Sequence, residues 1–495
     1  MTWRALLSYG PTSGPGVARV FHRLLGLIAF AAWASLAVQV ETLIGSRGLL
    51  PVADLAPWPA LPLLPSLFRW IPPQDGILIG GAYLGAALGL IAASGVAPRV
   101  LAGIQVVLYL SYATACRDFL AFQWDNLFLE AALLATLLPR DRPAPLVHFL
   151  FRVLLFKLYF ESGIAKWQSH LHDWHDGSAM TVYYETAPLP TLLAWWAHHL
   201  PVWWHHFESR ATLFVELAVP LLIFAPRRFR LAAFVIFTGF QLANLLTANY
   251  GFFVYLALVL HVFLLNDRAA FAPRPTPRWK HLALIPVVGV YVGLSTVEGV
   301  VTFADPNDTV AQATRPLRRL YAPLRVINTY HLFGHITRDR IEPEFLTSLD
   351  GKTFIAHPLN WKPGPSDRAP PFVAPHQPRV DFLLWFYGLA YDRGAPEYVA
   401  TLMRRICFDP RAVQSLFATP LPYQPAYVQI RFGDYRFSSP AEKEAGRWWH
   451  VEPRGGTRPV PCKDLRSGPR RAPRAPWRVA QVGSRRFAPP DWPRL

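Results

Sequence analysis

Arg152, Lys157, Glu161 and Lys166 interrupt one of the most apolar stretches of the chain, 147-VHFLFRVLLFKLYFESGIAK-166. A charge at the centre of such a segment costs roughly 3 kcal/mol on insertion scales, so it is kept where it has a partner or a task. Lys166, at the outer mouth beside Trp167 and the His-rich cap, either has a task there or snorkels to the interface; any chemistry of the stretch is expected at this end. At 100° per residue Lys157 and Glu161 share one face, while Arg152, Tyr159, Gly163 and Lys166 fall near the opposite one. Both faces must meet protein or water rather than lipid.

The preceding apolar segment supplies candidate partners. In 121-AFQWDNLFLE-130, Gln123, Asn126 and Glu130 are spaced i, i+3, i+7 and form a polar stripe, with Asp125 on another face. The two segments are antiparallel neighbours joined by a short loop, so residues can be matched by depth at 1.5 Å per residue. That match pairs Glu130 with Arg152 and Asp125 with Lys157. Such pairs can serve helix packing alone, or they can shape a cavity. Glu216 in 212-TLFVELAVPLLIF-224 and the Gln241/Asn244 pair add polar groups at mid-depth, which points to a polar-walled cavity opening outward.

Residues 166–207 hold seven His and six Trp. His170, His172, His175, His198, His199, His205 and His206 would suffice for a metal, yet no HExxH or fixed ligand spacing occurs, and no metal or other cofactor is expected. Trp and Tyr at this density favour a headgroup-level cap, with 191–207 as an interfacial helix broken at Pro201. Cys116, Cys407 and Cys462 form no CxxC, which argues against dithiol redox chemistry; a Cys407–Cys462 disulfide remains open.

The elements that must position these residues are membrane helices. The chain has 495 residues, of which 52% are hydrophobic and 16% charged, a composition typical of polytopic membrane proteins. Nine spans are expected at about 19–41, 76–96, 98–116, 119–138, 145–165, 208–226, 229–248, 250–266 and 280–301. The net charge of +17 resides in short loops and a Pro-rich tail, so it reflects topology and not nucleic-acid binding. Arg4, Arg19, Arg23, Arg99, Arg140, Arg142, the 226-PRRFR-230 cluster, Arg268, Arg274, Arg278 and Lys280 all fall in connections of one side. The N-terminus is accordingly cytoplasmic and the C-terminus extracytoplasmic. Residues 42–75 should form short interfacial helices.

The fold class is thus an all-α polytopic membrane bundle followed by a C-terminal extramembrane α+β domain. Residues 1–303 form the bundle, with the cap at 166–207; residues 304–453 form the extracytoplasmic domain; residues 454–495, rich in Arg and Pro, read as a disordered basic tail. Within the domain, 343–357 reads as a hairpin through Asp350-Gly351. Helical patterns follow at about 380–391, 396–407 and 410–418, then a strand pair at about 425–437 and 447–452.

Seven motifs carry a family resemblance: FQWDNLFLE, SGIAKW, YYETAPLPTLLAWWAHHLP, FVELAVPLLIFAPRRFR, TANYGFF, INTYHLFGHITRDR and VAPHQPRVDFLLWF. Between about residues 19 and 452 they resemble the lipase maturation factor family. The resemblance implies a multi-pass membrane protein, resident in the endoplasmic reticulum membrane in eukaryotes and in the inner membrane if bacterial. Its C-terminal domain would face the lumenal side and assist the folding of secreted lipases. It also implies partners limited to the bilayer and a secreted client, and a chaperone-like role more than an enzymatic one. Pro375, His376, Gln377, Pro378 and Arg379 would then be client-facing or structural. The run QSHLHDWHDG and the Arg/Pro tail depart from the family pattern.

A second resemblance is confined to the opening stretch. YFxSGIAKW with the following Trp and Gly-x-Ala-Met looks like the membrane domain of vitamin K-dependent γ-carboxylases. It implies Lys166 as a base toward a quinone or lipid-like substrate, with Glu130, Arg152 and Tyr159 shaping the cavity. A transporter is disfavoured by the absence of an internal repeat of spans.

Overall fold

The computed structural model describes residues 14–56, 64–265 and 278–466. Arg4, Arg268 and Arg274 of the loop count, residues 57–63 of the interfacial segment and the tail beyond 466 lie outside the described residues. Helices of seven residues or more are numbered here. They are α1 (Pro15–Ala37), α2 (Asp75–Ser94), α3 (Pro98–Ala115), α4 (Gln123–Leu137), α5 (Pro145–Trp167), α6 (Met180–Thr186), α7 (Leu192–His198) and α8 (Val202–Leu217). Next come α9 (Arg227–Thr247), α10 (Phe253–Leu260), α11 (Arg278–Phe303), α12 (Thr309–Tyr321), α13 (Arg379–Leu389) and α14 (Glu397–Phe408).

Four of these, α1, α2, α9 and the 282–303 portion of α11, are long and apolar enough to cross a bilayer. The other five expected spans are helical but different in kind. Helix α4 is only 15 residues long, and α5 carries its four charges. The segment expected at 208–226 is the end of α8, which stops at Leu217 before a 3-10 turn over Val219–Phe224. Pro220 lacks the amide that a continuing helix needs. The 250–266 segment is α10 with a 3-10 turn, His261–Leu264. Helices α4, α5 and α10 are mostly buried by their neighbours, so their sequences answer to protein contacts as much as to lipid, whereas α8 leaves Trp203, Phe207 and Phe214 exposed.

Helices α1 and α2 cross closely because small residues line the seam: a Cβ on Gly89 would lie 2.6 Å from the Phe30 backbone nitrogen. Residues 166–207 contain α6 and α7, and the helix expected at 191–207 does break at Pro201, which precedes α8. The segment 42–75 includes short 3-10 turns, Val52–Leu55 and Leu67–Arg69.

The C-terminal domain is built on an antiparallel sheet of order β2-β1-β3-β4, with β5 pairing β3. Its strands are β1 (Ile341–Ser348), β2 (Ile355–His357), β3 (Tyr427–Phe437), β4 (Trp449–Gly456) and β5 (Val460–Pro461). The expected hairpin is present, with Phe345 opposite His357. Its turn is set by the Asp350 carboxylate, which accepts the Lys352 and Thr353 amides at 2.8 Å each. Helices α13 and α14 supply apolar faces to the domain's core, through Val380, Leu384, Leu402 and Ile406. A disulfide joins Cys407 on α14 to Cys462 just after β5, so the ordered chain runs past the 453 boundary expected from the sequence.

Candidate functional site

The charged helix α5 is the hub. Glu130 on α4 is fully buried and accepts four hydrogen bonds, none from Arg152. Lys157 donates to Oε1 at 2.8 Å and Tyr291 of α11 to the same oxygen at 2.6 Å. Tyr330 and Asn328, from the segment after α12, donate to Oε2 at 2.6 and 3.0 Å. Lys157 also donates to Ser295 Oγ at 3.1 Å. A buried ion pair holds only when its remaining lone pairs and protons are also met, and these are.

Neither expected pairing forms. Arg152 sends its Nε to the Phe263 carbonyl at 3.0 Å, and Arg230 does the same to Leu264. Both guanidiniums sit at the carbonyl end of α10 and its 3-10 turn, where positive charge is favoured. Asp125 pairs not with Lys157 but with Arg379 of α13, in a two-pronged contact at 2.7 and 2.8 Å, and also accepts Tyr109 Oη at 2.6 Å. Depth matching between α4 and α5 names the right helix for Glu130 but the wrong residue on it, and it misses Asp125's partner because that comes from the C-terminal domain.

Segment 328–332 plugs into the bundle. The Tyr330 amide donates to Glu161 Oε2 at 2.7 Å, the His331 amide to Gln123 Oε1 at 2.9 Å, and the Leu332 amide to Ser162 Oγ at 3.4 Å. The Leu332 carbonyl accepts Lys166 Nζ at 2.7 Å, and Glu216 Oε2 lies 2.7 Å from the same ammonium. Trp174 of the cap places its ring 5.3 Å from Lys166 Nζ. Gly163 allows the close approach of α8: a Cβ there would be 2.9 Å from the Glu216 carbonyl. The polar walls expected to line an open cavity thus meet one another and this segment. Tyr159, stacked on Phe237 with centroids 3.9 Å apart, bonds His261 at 2.9 Å and receives Gln241 at 3.0 Å. Asn126 stands apart from the cluster, its Oδ1 buried without a hydrogen-bond partner.

The 375–379 motif forms the second anchor. Pro375 is exposed and His376 half-buried, while Gln377, Pro378 and Arg379 are buried. The Gln377 amide donates to Ser35 Oγ at 2.8 Å, and Gln39 Nε2 donates to the Gln377 carbonyl at 2.8 Å. The Arg379 amide donates to Gln39 Oε1 at 3.0 Å. Just upstream, Asn249 Oδ1 accepts the Val373 and Ala374 amides at 2.7 and 3.0 Å. The cap is held between the two parts: Trp385 Nε1 donates to the Thr186 carbonyl at 2.8 Å, Trp195 Nε1 to the Ser438 carbonyl at 3.0 Å, and the Phe437 amide to Glu185 Oε2 at 3.1 Å. Arg340 reaches the carbonyls of Glu185, Ala187 and Pro188 at the end of α6 and pairs with Glu342 at 2.7 Å. Lys362 completes that group, 2.6 Å from Glu342.

Tyr291, Asn328, Tyr330, Tyr109 and Arg340 were not singled out from the sequence. INTYHL was visible as a motif, but nothing local marked it as an insert into the bundle. Among the described residues no group of three or more His, Cys, Asp or Glu is arranged to hold a metal; His205, for instance, bonds Glu208 at 3.1 Å and the His198 carbonyl at 3.1 Å.

Apolar candidate spans together with a docked α+β domain define an integral membrane protein, with the buried Asp125 paired across the junction by Arg379. Residues 17–272 match the lipase maturation factor transmembrane domain, and residues 326–459 match the lipase maturation factor C-terminal domain. The chain belongs to the lipase maturation factor family. Lipase maturation factor 2 of Homo sapiens is 30% identical over 87% of this chain and 80% of that protein, as is its Gallus gallus counterpart. Lipase maturation factor 1 of Bos taurus is 27% identical over 87% of this chain and 86% of its own length. No solved structure matches significantly.

Proposed function

We propose that the protein is a non-enzymatic maturation factor that assists the folding of secreted proteins, lipases among them, on the extracytoplasmic side of the membrane. The observation that carries this is the ordered match of both parts of the chain to the two lipase maturation factor domains. The docked geometry supports it. Lys166 is held by the Glu216 carboxylate and the Leu332 carbonyl, as a structural cation is, and Lys157 and Asp125 are likewise paired within the chain. In this reading the nine expected segments form the bundle, α4, α5 and α10 being its interior members. The C-terminal domain lies outside, where the Cys407–Cys462 disulfide is stable. The motif 375–379 is the structural bolt between the two parts, leaving the exposed Leu349, Ile355 and Tyr423 on the domain for the client.

A second reading, a γ-carboxylase-like enzyme with Lys166 as base, is favoured only by the buried lysine beneath Trp174. The two separate on one experiment. In cells lacking their own maturation factor, this protein would be co-expressed with a secreted lipase, carrying Lys166→Met together with Glu216→Leu. That double change removes the charge pair without stranding either member. A maturation factor should retain most of the secreted lipase activity; loss of maturation by a protein that still folds would sink this reading and favour the enzyme.

A further inference from the structure

Helix α12, TVAQATRPLRRLY, takes no part in the hub, and residues 273–325 lie between the two family matches. At 100° per residue Val310, Leu317, Leu320 and Tyr321 share one arc and Arg315, Arg318 and Arg319 the opposite one. Leu317 and Leu320 are 47% and 61% exposed, and Arg315 and Arg319 are exposed as well. An amphipathic helix with its leucines bare needs an apolar medium beside it.

Its depth says which medium. Arg318 grips Glu298 of α11 through both carboxylate oxygens at 2.9 Å, and Tyr321 Oη donates to the same carboxylate at 2.7 Å. Glu298 precedes Phe303, the end of α11, by five residues, or about 7.5 Å of helical rise. The last turn of α12 has therefore come back alongside the apolar stretch 282–303 that qualifies α11 as a span. The level of Phe303 carries an interfacial aromatic too. Gln168 Nε2 donates to the Phe303 carbonyl at 2.9 Å, which places the neighbouring Trp167, 56% exposed, at that height.

We propose that α12 is an interfacial anchor: Leu317 and Leu320 enter the acyl boundary of the leaflet on the side of the C-terminal domain, and Arg315 and Arg319 bind the phosphates of anionic lipids. The proposal rests on α11 crossing the bilayer and is independent of any client.

The test uses the full chain in nanodiscs whose lipids carry brominated acyl chains. Cys116 is buried and the other two cysteines are bonded, so a fluorophore can be placed on a single introduced thiol. Leu320→Cys and Leu317→Cys report on the helix, Val290→Cys on the exposed flank of α11, and Tyr423→Cys on the outer domain. Labels at 317 and 320 should be quenched about twofold or more by the brominated chains, as at 290, with no quenching at 423. Quenching at 290 but not at 317 and 320 overturns the anchor alone; no quenching at 290 overturns it together with the span beneath it. Replacing part of the phosphatidylcholine with phosphatidylglycerol should deepen quenching at 320, and Arg315→Gln with Arg319→Gln should abolish that increment while sparing the Arg318–Glu298 contact. An increment that survives both substitutions overturns the headgroup assignment.

Discussion

Single residues decide whether this bundle tolerates its charges. Removing one member of a buried pair leaves an uncompensated charge, at a cost of about 3–5 kcal/mol. Lys157→Met alone or Glu130→Gln alone should therefore lower the thermal unfolding midpoint in detergent sharply, and the double variant should recover much of the loss; Arg152→Ala should give no such rescue. Strict additivity of the Lys157 and Glu130 changes would refute the pairing. The same logic gives a pH effect in the C-terminal domain. Burial pushes the Asp381 carboxyl up to about 6, against the hydrogen bond from the Trp361 amide and the Lys362 charge. An acid raised above its unfolded value of 3.8 contributes stability that is fully present below that value and lost as pH rises through about 6. Asp381→Asn, which keeps an acceptor for the Trp361 amide, should flatten the stability-versus-pH curve between those two values; an unchanged slope in a scanning-fluorimetry series would contradict it. The sequence showed that these charges needed partners, since helical spacing fixes their faces. It could not name Arg379 or Tyr330, which reach Asp125 and Glu130 from more than 190 positions away.

At the level of elements, legibility tracked local chemistry. The 341–357 hairpin was readable because Asp350 organises its own turn, and the break at Pro201 because proline removes a helix donor. The short interior helices α4 and α10 were read as spans because a buried protein contact and a lipid contact select the same apolar residues. The pairing of the end of β4 and of β5 with β3 is not legible, since Gly, Pro and Arg dominate the sequence there. The disulfide fastens that end: Cys407 sits in the last turn of α14 and Cys462 follows β5, closing a loop of 55 residues. Loss of such a crosslink typically costs about 2–4 kcal/mol. Cys462→Ser should accordingly loosen the edge formed by β5 first, seen as faster amide exchange at Val460 and at its partner Val428, with the Glu130 hub unaffected. Uniform acceleration through both parts of the molecule would show instead that the bond supports the whole fold.

For the whole molecule, two parts that the sequence separates at residue 303 share one set of buried electrostatics. Asp125, Glu130, Glu161 and Gln123 belong to the helical region, yet each takes a hydrogen-bond donor from residues 328–379. The helical region without the C-terminal domain would keep Lys157 for Glu130 but leave Asp125 with only Tyr109, and Glu161 without the Tyr330 amide. Buried acceptors left unmet cost about 1–3 kcal/mol each, and more when charged, which together rival the entire stability of an ordinary domain. A chain ending at residue 324 should therefore fail to accumulate as a monodisperse species in detergent. Arg379→Ala, which strands Asp125 while leaving the rest of the chain intact, should reproduce part of that defect, and combining it with Asp125→Asn should relieve it. A well-behaved, fully stable 1–324 fragment would mean that the helical region folds on its own and that the junction is a docking contact between independent units.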